Sequence, residues 1–332
     1  MNLVLGNTPF IFRVLGLFVP IFIFDFIGGL DNEEFTKQLL LLYGHGFVVA
    51  LIFGFGFQVS INRYFVGKNI SMGQIIKEVI FNLLASYIFY CLIVVIIGLY
   101  SIFYGFDFAL SIFFISSANL ALYLISYAAQ SKGNGNSTII FLFLVPSVNF
   151  LAVTFMGQQA GSVLTISLGV FSASIIALLF ITDFNWKVRR KFKLYSIYDG
   201  VSPLINITGI WILPLSLVSN LNSYEQALFM VTLRLGSLVN IFTGVINQTS
   251  VSKIVRLSTQ KNYEASRLMY LSVLRKSVFS SIVMYLFILF ALSFKDFSPL
   301  LLPNRTDFAI CGLFYVCSVL IGPVGVFMQH SN

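Results

Sequence analysis

Ten continuous apolar runs, each about twenty residues long and separated by short polar stretches, leave this chain few ways to fold. They lie near residues 10 to 30, 38 to 58, 80 to 103, 108 to 129, 138 to 157, 161 to 182, 201 to 221, 225 to 248, 277 to 299 and 308 to 328. Each is long enough, as a helix, to cross a ~30 Å hydrocarbon core. A bilayer satisfies no backbone N–H or C=O, so a spanning segment must be a helix or part of a closed barrel. The runs do not alternate polar and apolar residues, which argues against barrel strands. The expected fold is all-α: a polytopic transmembrane bundle of about ten helices with both ends in the cytoplasm. Hydrophobic residues make up 58% of the 332 positions and charged residues only 10%. A soluble domain carries about a quarter charged residues, so large extramembrane domains are excluded.

No basic region precedes the first run and no small-residue cleavage pattern follows it, so that run reads as a retained span rather than a signal peptide. Cys91, Cys311 and Cys317 lie inside apolar runs without metal-ligand or redox spacing and read as small packing residues.

The net charge of +8 takes its meaning from where the cations fall. Arg63, Lys68 and Lys77 lie in the second loop and Lys132 in the fourth. Five basic residues lie between Lys187 and Lys193 in the sixth loop, and six between Lys253 and Lys276 in the eighth. The odd-numbered loops hold only Lys37, Lys295 and Arg305, beside acidic residues such as Glu33, Glu34, Asp107, Glu225 and Asp307. Lys and Arg in short loops resist translocation, which places the even loops in the cytoplasm. The Trp186 to Lys193 stretch reads as an anchor on anionic lipid, and nucleic acid is not needed to explain it. It also marks the best boundary, dividing residues 1 to 183 (six spans) and a basic linker at 184 to 200 from residues 201 to 332 (four spans). In the eighth loop, Ile254, Val255 and Leu257, then Leu268, Leu271 and Leu274, recur at helical spacing among cations. This predicts an amphipathic interfacial helix running on toward the ninth span.

No catalytic arrangement, metal-ligand cluster or nucleotide-binding loop can be assembled, so neither an enzyme activity nor a cofactor is expected. The informative residues are polar ones inside spans, because a charge at a helix centre costs about 2.5 to 3.5 kcal/mol on insertion scales. Arg13 and Asp25 flank Pro20 on the first span, twelve residues apart and so unable to pair on one helix. Pro20 should kink that helix, which suits a gate. Arg234 lies deep in the eighth span, where a cavity-facing role is favoured, with Asn240 six residues beyond it. His45, in Tyr43-Gly44-His45-Gly46, reads as a hydrogen-bonded helix–helix contact that could also meet substrate or relay protons.

Lys191-Phe192-Lys193-Leu194 running into Pro203, Ala227 through Arg234-Leu235-Gly236-Ser237-Leu238, and Gly322-Pro323-Val324-Gly325 together resemble the polysaccharide (O-antigen type) flippases of the multidrug, oligosaccharidyl-lipid and polysaccharide exporter superfamily. The resemblance covers most of the chain in topology and residues 190 to 328 in local pattern. It implies two lobes around a central cavity that opens alternately to each face of a bacterial inner membrane. The cargo it implies is an undecaprenyl-diphosphate-linked oligosaccharide, with Arg234, Arg13, Asp25, His45 and Asn240 toward substrate and Pro20 in gating. Other polysaccharide-assembly membrane proteins would be its partners. The family pattern has six helices in each lobe and the second lobe here has four, so the chain is expected to be C-terminally shortened. Three alternatives stay open: a drug or metabolite exporter of the same superfamily, which would favour acidic cavity residues; a polysaccharide polymerase or ligase, which would need a larger non-cytoplasmic loop; and a structural partner within a membrane complex.

Overall fold

A computed structural model describes residues 33–54, 60–61, 64–66, 70–133, 162–181, 222–240, 260–293 and 304–321, with scattered positions between 242 and 258. Within them lie α1 (Glu33–Phe53), α2 (Met72–Leu84), α3 (Tyr87–Tyr104), α4 (Phe106–Ser131), α5 (Val163–Ile181), α6 (Ser223–Leu238), α7 (Tyr263–Ala291) and α8 (Arg305–Ile321). The described residues contain no strand. Four helices, α1, α3, α4 and α7, are long and apolar enough to cross a membrane, and α5 contains a shorter apolar segment at Val163–Leu179. The runs near 10 to 30, 138 to 157 and 201 to 221 lie outside the described residues; the other seven each overlap a described helix.

The helix ends follow local chemistry. Ser71 begins α2 by accepting a hydrogen bond from the Gln74 N–H at 3.2 Å. Asn222 and Glu225 close a capping box at α6, the Asn222 side chain accepting from the Glu225 N–H at 2.8 Å and the Glu225 carboxylate from the Asn222 N–H at 3.3 Å. Between α3 and α4 the chain turns on Gly105, whose φ of 88° a side chain would strain. Asp107 then sits in the first turn of α4, where the helix dipole favours an anion.

Two expectations are corrected here. The run from residue 80 to 103 is not one helix: α2 ends at Leu84, and the part long and apolar enough to span is α3, which starts at Tyr87. At the break the Ser86 N–H donates to the Leu83 carbonyl at 3.0 Å, one residue short of the helical partner, and the Tyr90 hydroxyl donates to the Leu84 carbonyl at 2.8 Å, which satisfies a group left over at a helix end. Nor is the amphipathic stretch from 254 to 274 one helix. Lys261, at φ 59°, interrupts it, and Asn262 caps the new helix by accepting from the Ala265 N–H at 3.2 Å. From there α7 runs unbroken through the interfacial part into the apolar part, as expected of that half.

The helices pack in two groups. In the first, α4 touches α1, α2, α3 and α5. Every residue from Leu120 to Ser131 is buried, which explains why that half of α4 lacks a polar face. Phe53 of α1, fully buried, sets its ring against Phe89 of α3 and Phe113 of α4, with centroids 5.8 and 6.5 Å away. By contrast α3 buries only Phe89 and Ile96, and its Tyr87, Val94, Ile102 and Phe103 are all more than 70% exposed. So much apolar surface on a helix of spanning length belongs in hydrocarbon, not water.

The second group is α6, α7 and α8, joined to the first where α6 meets α1. Contacts between α6 and α8 rise together along both helices: the Thr232 carbonyl accepts from the Cys311 thiol at 3.7 Å, and the Asn240 amide reaches Tyr315 and Ser318. These two helices therefore run parallel. Asn240 meets Ser281 whereas Thr243 also reaches back to Ser277, so α7 runs opposite to α6. Cys311 thus packs between helices, while Cys91 and Cys317 are exposed on outer faces.

Gly236 is where α6 and α8 come closest. A Cβ there would lie 2.7 Å from the Tyr315 ring and 2.8 Å from the Cys311 sulfur, whereas one at Gly98 would meet nothing within 4 Å. Overpacking of this kind costs about 1 to 3 kcal/mol. Gly236→Ala should lower the thermal midpoint of the purified protein and Gly98→Ala should not. Equal midpoints for the two variants would show that α6 and α8 are not packed through this glycine.

Candidate functional site

His45 stands on α1 and Arg234 on α6, two helices that touch each other. His45 is half-buried, and its Nδ1 lies 2.9 Å from the hydroxyl of Tyr100 on α3. The Tyr100 and Tyr104 rings stack at 5.9 Å, and Tyr104 sets its edge against the imidazole at 6.2 Å. Tyr104 in turn packs on Phe108, 5.2 Å away on α4. His45 is thus the hydrogen-bonded helix–helix contact expected of it, with one aromatic neighbour, Tyr104, 41% exposed. Arg234 lies about three turns into α6, and its side chain lies outside the described residues. Arg13, Pro20 and Asp25 also lie outside them.

Asn240, just past the end of α6, anchors a polar seam through the second group. Its side-chain N–H groups donate to the Tyr315 carbonyl and the Ser318 hydroxyl, both at 3.3 Å, and its oxygen accepts from the Ser281 hydroxyl at 3.2 Å. Thr243 extends the seam, its hydroxyl 3.1 Å from that of Ser281 and donating to the Ser277 carbonyl at 3.3 Å. Ser318 closes it by donating to the Tyr315 carbonyl at 2.7 Å. Ser277 and Ser281 are fully buried, and small residues on α7 are what allow another helix so near. The described hydrogen bonds of Asn240 all go to protein groups, so in this arrangement it ties three helices together.

The sequence pattern did not single out Glu78. It is 1% exposed and lies on the buried face of α2 with Gly73, Ile75, Ile76 and Val79. Its backbone carbonyl accepts from the Asn82 side chain at 2.7 Å. The basic residues around it, Arg63, Lys68 and Lys77, made this stretch read as a loop. The available signal was the spacing of Ile75, Glu78 and Val79, which puts the carboxylate on the apolar stripe of a short helix.

No protein-family model matches the chain, and neither a curated protein nor a solved structure matches it significantly. Among the described residues no group of three or more His, Cys, Asp or Glu could hold a metal ion. What the described residues offer is therefore an aromatic cluster around His45 and a polar seam around Asn240.

Hydrogen bonds between membrane helices contribute about 0.6 kcal/mol on average and about 1.7 at most. A double-mutant cycle of Asn240→Ala and Ser281→Ala, read by reversible unfolding in mixed micelles, should give a coupling in that range. Strict additivity of the two substitutions would show that the seam does not hold α6 to α7.

Proposed function

We propose that the chain is a transporter in a bacterial inner membrane that moves an undecaprenyl-diphosphate-linked oligosaccharide, an O-antigen or similar repeat unit, from the cytoplasmic to the outer face by alternating access. One observation carries this beyond the resemblance. The helix contacts fall into two groups, α1 to α5 and α6 to α8, whose described junction is the contact of α6 with α1. Two packed bodies that meet at a seam can rock against each other, and the seam is where a cargo path would open and close. Arg234 and His45 stand on the two helices that form it.

The mechanism assigns the chemistry to the carrier lipid's diphosphate. A guanidinium stays charged at every physiological pH and presents a planar fork that matches phosphate oxygens. Arg234 would hold the diphosphate on the path, with Arg13 as a second cation. His45 and Asn240 would offer hydrogen bonds to the sugar, and Pro20 would let the first span bend as the path changes sides. Asp25 would pair with Arg234 when cargo is absent. The basic loops would hold the cytoplasmic face against anionic lipid. In this scheme no covalent bond is made or broken, so the protein is a carrier rather than an enzyme. The second reading, an exporter of cationic drugs or metabolites, gains from Glu78, because a buried carboxylate is what such a cargo would seek.

Transport and abundance should be measured together, in cells lacking their own flippase, for Arg234→Ala, Arg234→Lys, Asp25→Asn and the Arg234→Ala/Asp25→Asn double variant. If the diphosphate is Arg234's partner, Arg234→Ala abolishes surface polysaccharide at near-normal abundance and Arg234→Lys keeps part of it. If the partner is Asp25 alone, Arg234→Ala lowers abundance and the double variant restores it. Undiminished transport by Arg234→Ala would end the diphosphate assignment. Glu78→Gln should leave polysaccharide transport intact, and resistance to cationic drugs that falls with this variant would favour the second reading.

A further inference from the structure

The face of α7 that turns away from the protein changes character along its length. Leu268, Leu271, Ser272, Arg275 and Lys276 each have a neighbour in the set three or four positions away, so they share one side of the helix. Among the described residues these five line a shallow cavity of about 300 Å³. Ser272, Arg275 and Lys276 are exposed, and no acidic residue lies between Leu268 and Phe290. The nearest on this helix is Glu264, three turns before Arg275. Neither cation makes an ion pair with a described residue.

Beyond Lys276 the same side becomes wholly apolar. Phe279 is 72% exposed, and Leu286, Phe287 and Phe290 are each more than half exposed. From Lys276 to Phe290 is fourteen residues, or about 21 Å of helix, enough to line one leaflet of a ~30 Å hydrocarbon core. The opposite side of α7 carries the buried Ser266, Val273, Ser277, Ser281 and Ile288, so packing against the rest of the protein leaves this outer stripe uncovered.

We propose that this stripe is a binding site for an anionic phospholipid, its phosphodiester held by Arg275, Lys276 and the Ser272 hydroxyl and its acyl chains laid along Phe279 to Phe290. The order of the groups matches an amphiphile lying along the helix: a cationic, hydroxyl-bearing cavity at the head and an apolar strip of leaflet length at the tail. Arg275 supplies the planar fork for the phosphate oxygens and Lys276 a second charge that a zwitterionic headgroup's own amine would oppose. Leu268 and Leu271 wall the cavity on the side away from the acyl strip. The site needs no transport activity and stands whether or not the carrier reading holds.

The test uses the full chain reconstituted in phosphatidylcholine vesicles with a trace of spin-labelled phosphatidylglycerol or spin-labelled phosphatidylcholine. The motionally restricted fraction of each gives their relative association. The native protein should prefer phosphatidylglycerol about fivefold. Arg275→Gln/Lys276→Gln should remove most of that preference, Arg275→Lys should keep most of it, and Lys253→Gln/Arg256→Gln should lower it clearly less than the first pair does. The proposal is overturned by an undiminished preference in Arg275→Gln/Lys276→Gln, or by an equal loss in Lys253→Gln/Arg256→Gln, which would show only a general surface potential. Displacement of the lipid by millimolar inorganic phosphate would show a free-anion site instead and overturn it too. If the double variant does not insert, Lys276→Gln alone decides: a fall in preference supports the site and no change refutes it.

Discussion

Hydrocarbon offers no partner to a backbone amide, and every described feature of this chain answers to that. Helices satisfy their own backbone, and where a helix stops a side chain or a tight turn takes over. The Tyr90 hydroxyl meets the Leu84 carbonyl at the break between α2 and α3, and the capping box of Asn222 and Glu225 opens α6. With the backbone settled, side chains sort by environment. The second half of α4 is buried on every side, while α3 and the outer stripe of α7 keep large apolar residues uncovered.

Apolar burial alone cannot hold such helices together, because lipid tails are as apolar as leucine. The second group uses close approach and shared hydrogen bonds instead. Gly236 lets α6 come against Tyr315 and Cys311, and Ser277 and Ser281 let α7 in beside Thr243 and Asn240. The first group relies more on ring contacts, as around Phe53 and in the His45, Tyr100 and Tyr104 cluster. The junction of the two groups, α1 against α6, is where a difference between two conformations would be felt first.

Helical class and span-length helices were legible because a twenty-residue apolar run has one physical solution in a membrane. His45 was legible for the same reason: a lone imidazole in a span needs a partner, and Tyr100 is that partner. The break at Ala85 and Ser86 was not, since apolar residues lie on both sides of it and the Tyr90 bond to the Leu84 carbonyl that stabilises it spans six positions. Glu78 was hidden because neighbouring cations made its helix look like a loop. Asn240 was visible as a polar residue in a span, but its three bonds to α7 and α8 depend on residues more than forty positions away, which no local pattern reveals.

The proposed transport and the proposed lipid site on α7 both require one orientation in the bilayer, with the loop before α7 in the cytoplasm and the loop before α8 outside. The most direct measurement replaces Cys91, Cys311 and Cys317 with alanine and introduces single cysteines at Gln260 and at Asn304, both exposed. An impermeant thiol reagent added to intact cells should label position 304 at once and position 260 only after the membrane is opened. Labelling of position 260 in intact cells with protection of position 304 would contradict the account.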